Sequence, residues 1–191
     1  MAAMDAGDRA VYGPSGEVEE RERHASWLET FFDLVFVLVV SRVAAGLHDD
    51  LSAAGLGRFL LIFLPVWWGW VGFSFYVSRF PREDNVVRVL MLAAMLAAAA
   101  LATNVGGALT GETAVGFALA YGGLRLCLVL LYIRARREDR ARELADFYAA
   151  GFGLGAALWI SSAIVPSPGR YAMWAVAFVV EAATPAVAGE R

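Results

Sequence analysis

The sequence predicts an all-α polytopic membrane protein, a six-transmembrane-helix bundle with short loops, and three observations carry that prediction. Hydrophobic residues make up 59% of the 191 positions against 18% charged, with a mean hydropathy of +0.57, which is more apolar surface than a soluble domain of this size needs for one core. The apolar residues gather in six windows, each near the roughly 20 residues that cross about 30 Å of hydrocarbon as a helix. The breaks between windows are only 5 to 11 residues long, which favours consecutive spans over the alternative of a buried soluble bundle. Because lipid offers no partner to a free backbone N–H or C=O, spans of this kind are helical.

Residues 1–26 are polar, mixed in charge and carry Gly7, Gly13, Pro14 and Gly16, so they are expected as a flexible cytosolic tail. They lack the apolar core and cleavage site of a signal peptide, leaving the first span as an uncleaved targeting signal. That span, 27–46, holds Glu29, Asp33 and Arg42. Span 57–77 contains Pro65, expected to kink it, and Trp67, Trp68 and Trp70, readable as bulky packing around the kink or as an aromatic ligand wall. Span 86–105 offers a narrow face of Ala93, Ala97 and Ala100 and ends near Asn104. Span 114–133 includes Arg125 and the single cysteine, Cys127. Span 145–164 carries Gly151 and Gly155 in a G-x-x-x-G spacing for close helix packing, and span 170–187 carries Glu181. The transmembrane domain is therefore 27–187, followed by a C-terminal end, 188–191.

All sixteen cations are arginines, and their distribution gives the orientation. Twelve of them lie at the ends that share a face with the N-terminus and two, Arg58 and Arg170, at the opposite face. By the positive-inside rule both termini are expected in the cytoplasm of a bacterial inner membrane. The run from Arg134 to Arg142 is interleaved with Glu138 and Asp139 and reads as an orientation signal, with no nucleic-acid site expected.

A charge near the centre of a membrane helix costs roughly +2.5 to +3.5 kcal/mol on an insertion scale, so those within the spans need a compensating role. Glu29 and Asp33 are an i,i+4 pair on one stripe. At 1.5 Å per residue, Asp33, Arg125 and Glu181 come to similar depths in the cytosolic half, and the four residues form a candidate ion or proton site with Arg125 as the expected partner of the carboxylates. Arg42 is nine residues after Asp33 and points about 180° away, so it is assigned with Asn104 and Asp49 to an outer polar cluster. The plain alternative is a set of buried ion pairs that only fix helix register.

Chemistry of other kinds finds little support. One cysteine allows no intrachain disulfide, the two histidines fall on opposite faces, and no nucleophile lies beside a base, so no enzyme activity, metal or cofactor is expected.

Residues 25–44, ASWLETFFDLVFVLVVSRVA, followed by His48-Asp49-Asp50, resemble the opening signature of the bacterial low temperature requirement protein A family. PVWWGW at 65–70, Arg79-Phe80, RVLMLAAM at 88–95 and YAAGFGLGAALW at 148–159 extend the likeness over most of 25–185. The resemblance implies a polytopic membrane protein linked by name to growth in the cold, with no established molecular activity. It also implies that the chain corresponds to an N-terminal half, as a truncated product, a fragment or a half-length variant. Phe31-Phe32-Asp33 is more distantly similar to the Phe-Ser-Asp motif of lysosomal and bacterial TMEM-type potassium channels, with phenylalanine replacing the motif serine.

Two functions follow as expectations. One is a cation or proton channel or transporter acting through the intramembrane carboxylates. The other is a non-transporting scaffold or stress sensor whose charges only pack, and whose partner besides the bilayer is a second copy or a second half-protein.

Overall fold

The computed structural model describes residues 27–80, 84–136 and 142–188; the expected tail 1–26 and the last three residues lie outside them. Six helices follow in order: α1 (Trp27–Asp49), α2 (Ala53–Arg79), α3 (Asn85–Asn104), α4 (Ala114–Ala135), α5 (Arg142–Ser161) and α6 (Gly169–Ala188), with a short 3-10 turn Ser162–Ile164 after α5. All six are long and apolar enough to cross a membrane, and the described residues contain no strand. The face where α1 begins is called the near face below and the opposite one the far face.

Polar caps set several helix ends where lipid cannot. Ser52 Oγ accepts the Gly55 N–H at 3.1 Å and starts α2 four residues before the apolar window does. Asp84 Oδ1 accepts the Val87 N–H at 2.9 Å at the start of α3. Arg170 donates from Nε to the Ser162 carbonyl (3.1 Å) and from Nη2 to the Ala163 carbonyl (3.3 Å), closing the end of the fifth span. α1 runs on to Asp49, so His48 and Asp49 belong to the helix instead of following it. Pro65 is buried inside α2, whose helical run is unbroken.

α4 is the central helix because its sequence is apolar on every side. It packs on α2, α3 and α5, while α1 lies against α2 and α3 and α6 lies against α5. Burial follows this order: 61% of the apolar window of α4 is buried, against 22% for α1 and for α6. Those two outer helices turn Leu34, Val37 and Leu38, or Val176 and Val179, outward, as lipid permits.

Aromatic rings fill the interior in two groups. Tyr76, Phe80, Tyr132, Tyr148 and Phe152 pack toward the near face, and Phe117, Tyr121, Trp159 and Trp174 pack on the other side of Arg125. The glycine spacing on α5 does serve close packing: a Cβ at Gly151 would collide with Thr184 and one at Gly155 would meet Glu181, both on α6. The expected alanine face of α3 is out of phase by one residue. Ala94, Ala98 and Ala102 are buried, while Ala100 is exposed and Ala93 and Ala97 are half-buried, because the buried side of α3, which packs on α4 and α1, runs through Met91, Ala94, Ala98, Leu101 and Ala102.

Candidate functional site

The charges inside the spans separate into two sites rather than one layer. Arg125 on α4 and Glu181 on α6 form an ion pair, Nη2 to Oε2 at 2.6 Å, with both side chains 0% exposed. Tyr121, one turn before Arg125, joins them: its hydroxyl accepts from Arg125 Nε (3.1 Å) and Nη2 (2.7 Å) and donates to Glu181 Oε2 (3.0 Å). The Arg125 guanidinium carbon also lies 5.1 Å from the Tyr121 ring centre and 5.2 Å from that of Phe152.

Two glycines make room for this cluster. A Cβ at Gly72 on α2 would stand 2.9 Å from Arg125 Nη1 and 2.8 Å from Leu128 Cδ2, and one at Gly155 on α5 would stand 2.6 Å from the Glu181 Cγ and Oε1 atoms. The arginine and its carboxylate are thus enclosed by α2, α4, α5 and α6. Arg125 Nη1 and Glu181 Oε1 keep no hydrogen-bond partner among the described residues.

Asp33 is elsewhere. The expectation that Arg125 would neutralise it is corrected: its carboxylate Oδ1 accepts a 2.7 Å hydrogen bond from Trp70 Nε1 on α2, and it makes no ion pair among the described residues. The depths match as expected, but Asp33 lies on the exposed flank of α1, on the α2 side, while Arg125 faces inward from α4. Phe32, Phe36 and Phe73 fill the space where α1 meets the core.

Asp33 stands where two cavities meet. One, of about 180 Å³, also has Glu29, Ser74 and Ser78 in its wall and opens toward the near-face half. The other, of about 560 Å³, runs outward between α1 and α2 past Trp70, Trp67, Phe63 and Ser41. Glu29, half-buried one turn before Asp33, shares only the first. Trp70 therefore holds a carboxylate, a role the sequence did not single out, although it lies nine residues from the near-face end of α2, a depth close to that of Asp33.

The outer polar cluster does not assemble as expected. Asn104 donates from Nδ2 to the Ala100 carbonyl (2.7 Å) and to Thr103 Oγ1 (3.2 Å), and its own carbonyl accepts the Thr113 hydroxyl, so it ties α3 to the following loop. Arg42 is exposed and has no ion pair among the described residues, and the side chain of Asp49 lies outside the described residues. Just beyond α1, Asp50 pairs with Arg58; hydrogen bonds from Ser52, then that guanidinium, hold its carboxyl below the usual aspartate range.

At the near face Asp84 pairs with Arg134 and Asp146 with Arg136, joining the start of α3 to α4 and the end of α4 to α5. The Val87 N–H, and after it Arg134, keep the Asp84 carboxyl below its ordinary range.

Six apolar helices with charge enclosed among them define a polytopic helical membrane protein. The chain belongs to the family described as bacterial low temperature requirement A protein (LtrA), whose model matches residues 24–191. It is similar to the "Uncharacterized protein RA0937" of Rhizobium meliloti (strain 1021), 30% identical over 165 residues, which is 85% of this chain and 40% of that protein. The chain thus spans less than half the length of the curated relative it matches. No solved structure matches it.

Proposed function

We propose that the chain handles a cation or proton within a bacterial cytoplasmic membrane, with both termini in the cytoplasm, and that Asp33 is the residue that binds the ion. The observation that carries this reading is the position of the Asp33 carboxylate: within a membrane span, bonded to one indole N–H, and lining both the cavity that holds Glu29 and the outward groove between α1 and α2. A carboxylate at such depth without a guanidinium or ammonium partner is neutralised most cheaply by a proton or a cation. Glu29 and the hydroxyls of Ser74 and Ser78 supply further oxygens in the same small cavity. Arg125 and Glu181, expected at the sequence level as part of this site, are assigned instead to a packing clasp.

The second reading, a scaffold or sensor that moves no ion, is favoured by that clasp, since a dry pair of matched charges with a tyrosine bridge needs no substrate. Flux decides between the two. Purified protein in liposomes, assayed for proton and potassium movement under imposed gradients, is expected to conduct, and Asp33→Asn to abolish the flux. Flux no greater than that of empty liposomes under every gradient would overturn the transport reading and leave the scaffold.

A further inference from the structure

An open cavity of about 770 Å³ lies at the far face between the ends of α1, α2 and α3. α1 packs on both of the other helices, and small residues at their ends, Gly46 and Ala102, leave the junction unfilled. Its polar wall is made by Arg42 from α1, Arg58 from α2, Thr103 from α3 and Thr110 from the next loop.

The two arginines meet this cavity at matched depths. Arg42 is seven residues before the end of α1, about 10 Å, and Arg58 is five residues after the start of α2, about 8 Å. Arg58 is paired with Asp50, while Arg42 has no hydrogen bond or ion pair among the described residues. Counting that carboxylate against the two guanidiniums, the described residues give the cavity a net positive charge. The threonine hydroxyls are already committed, Thr103 Oγ1 to the Ala100 carbonyl at 2.8 Å and Thr110 Oγ1 to the Gly107 carbonyl at 3.1 Å, so the free donors are guanidinium N–H groups. The remaining arginine of this face, Arg170, is spent on the carbonyls of Ser162 and Ala163 and is no alternative.

We infer that this cavity binds a phosphate-type oxyanion. Arg42 supplies a planar fork of donors that fits two phosphate oxygens, and Arg58 supplies a second, partly neutralised charge across the cavity. An unpaired guanidinium within a membrane helix is costly, and an anion in this cavity relieves that cost without moving the helix. The same chemistry is offered by free phosphate arriving from the aqueous side and by the headgroup of an anionic lipid entering between the helices.

The test uses the unmodified protein in a maltoside detergent, which carries no phosphate. Modification of individual arginines by phenylglyoxal is followed by peptide mass spectrometry, with inorganic phosphate in one arm and phosphatidylglycerol in the other, both at matched ionic strength. Arg42 modification is expected to slow at least about fivefold in one of the arms, as occupancy by a ligand in excess of its dissociation constant requires, while Arg79 at the near face is unaffected. Protection by phosphate identifies the aqueous ligand, and protection by the lipid alone identifies the headgroup. Equal modification of Arg42 with and without both probes would overturn the proposal.

Discussion

Replacing Glu181 by leucine leaves a guanidinium enclosed by protein on all sides. The pair it breaks is 2.6 Å long between side chains with no exposure, and the Tyr121 hydroxyl loses its acceptor at 3.0 Å at the same time. Arg125 then keeps only the Tyr121 oxygen and the faces of two rings. Removing one partner of a buried pair costs about 3–5 kcal/mol, and Arg125→Met should cost a similar amount by stranding the carboxylate. Replacing both with apolar groups of like volume removes the need for compensation, so the double variant should lose only about 1 kcal/mol, a coupling of about 5 kcal/mol or more. The assay is unfolding in mixed detergent micelles titrated with a denaturing detergent, read by tryptophan fluorescence; Trp159 packs on Tyr121 and reports the region directly. Single variants that lose less than about 1 kcal/mol, or a double variant whose loss equals the sum of the singles, would refute the clasp.

Other outcomes follow from neighbouring geometry. Gly155→Ala puts a methyl group 2.6 Å from the Glu181 carboxylate and should destabilise the fold by about 1–3 kcal/mol, as overpacking does; the same unfolding assay checks it, and an unchanged midpoint would contradict the close approach. The folded-state value of Asp84 is depressed, so its contribution to stability is present above the ordinary aspartate value of about pH 4 and is lost as pH falls through the folded value. Thermal midpoints measured from neutral pH into acid should therefore fall less steeply for Asp84→Asn than for the parent protein, and parallel curves would count against the capping and Arg134 contacts. Asp33→Asn should abolish ion flux with the unfolding midpoint kept within about 1 kcal/mol, since the residue is exposed and an amide oxygen still accepts from Trp70; a large loss of stability would make it a packing residue.

Helix number, helix positions and the depth of each charge were legible because lipid imposes length and polarity directly on the sequence. The depth argument places Glu181 in the same layer as Arg125 but gives the arginine to Asp33 and Glu29, and Gly155 was visible as a small-residue position, though not as the space for a carboxylate. Depth does not say which way a residue faces. That is why Asp33 was grouped with Arg125, although one lies on the flank of an outer helix and the other points into the core from the central helix. Tyr121 could have been found as the residue one turn before Arg125 on the same face. Trp70 could have been found by extending the depth comparison to uncharged donors. Helical phase separates Arg42 from Asp33, but its neighbours at the far face depend on how α1, α2 and α3 diverge, which local pattern does not encode.

The central claim is that ion handling belongs to Asp33 and structural clasping to Arg125 and Glu181. Flux in proteoliposomes compared across three proteins at equal reconstitution tests it most directly: the parent chain, Asp33→Asn, and the double variant Arg125→Met with Glu181→Leu. The account predicts flux in the parent and the double variant and none in Asp33→Asn. Flux that survives in Asp33→Asn but disappears in the folded double variant would reverse the assignment of the two sites.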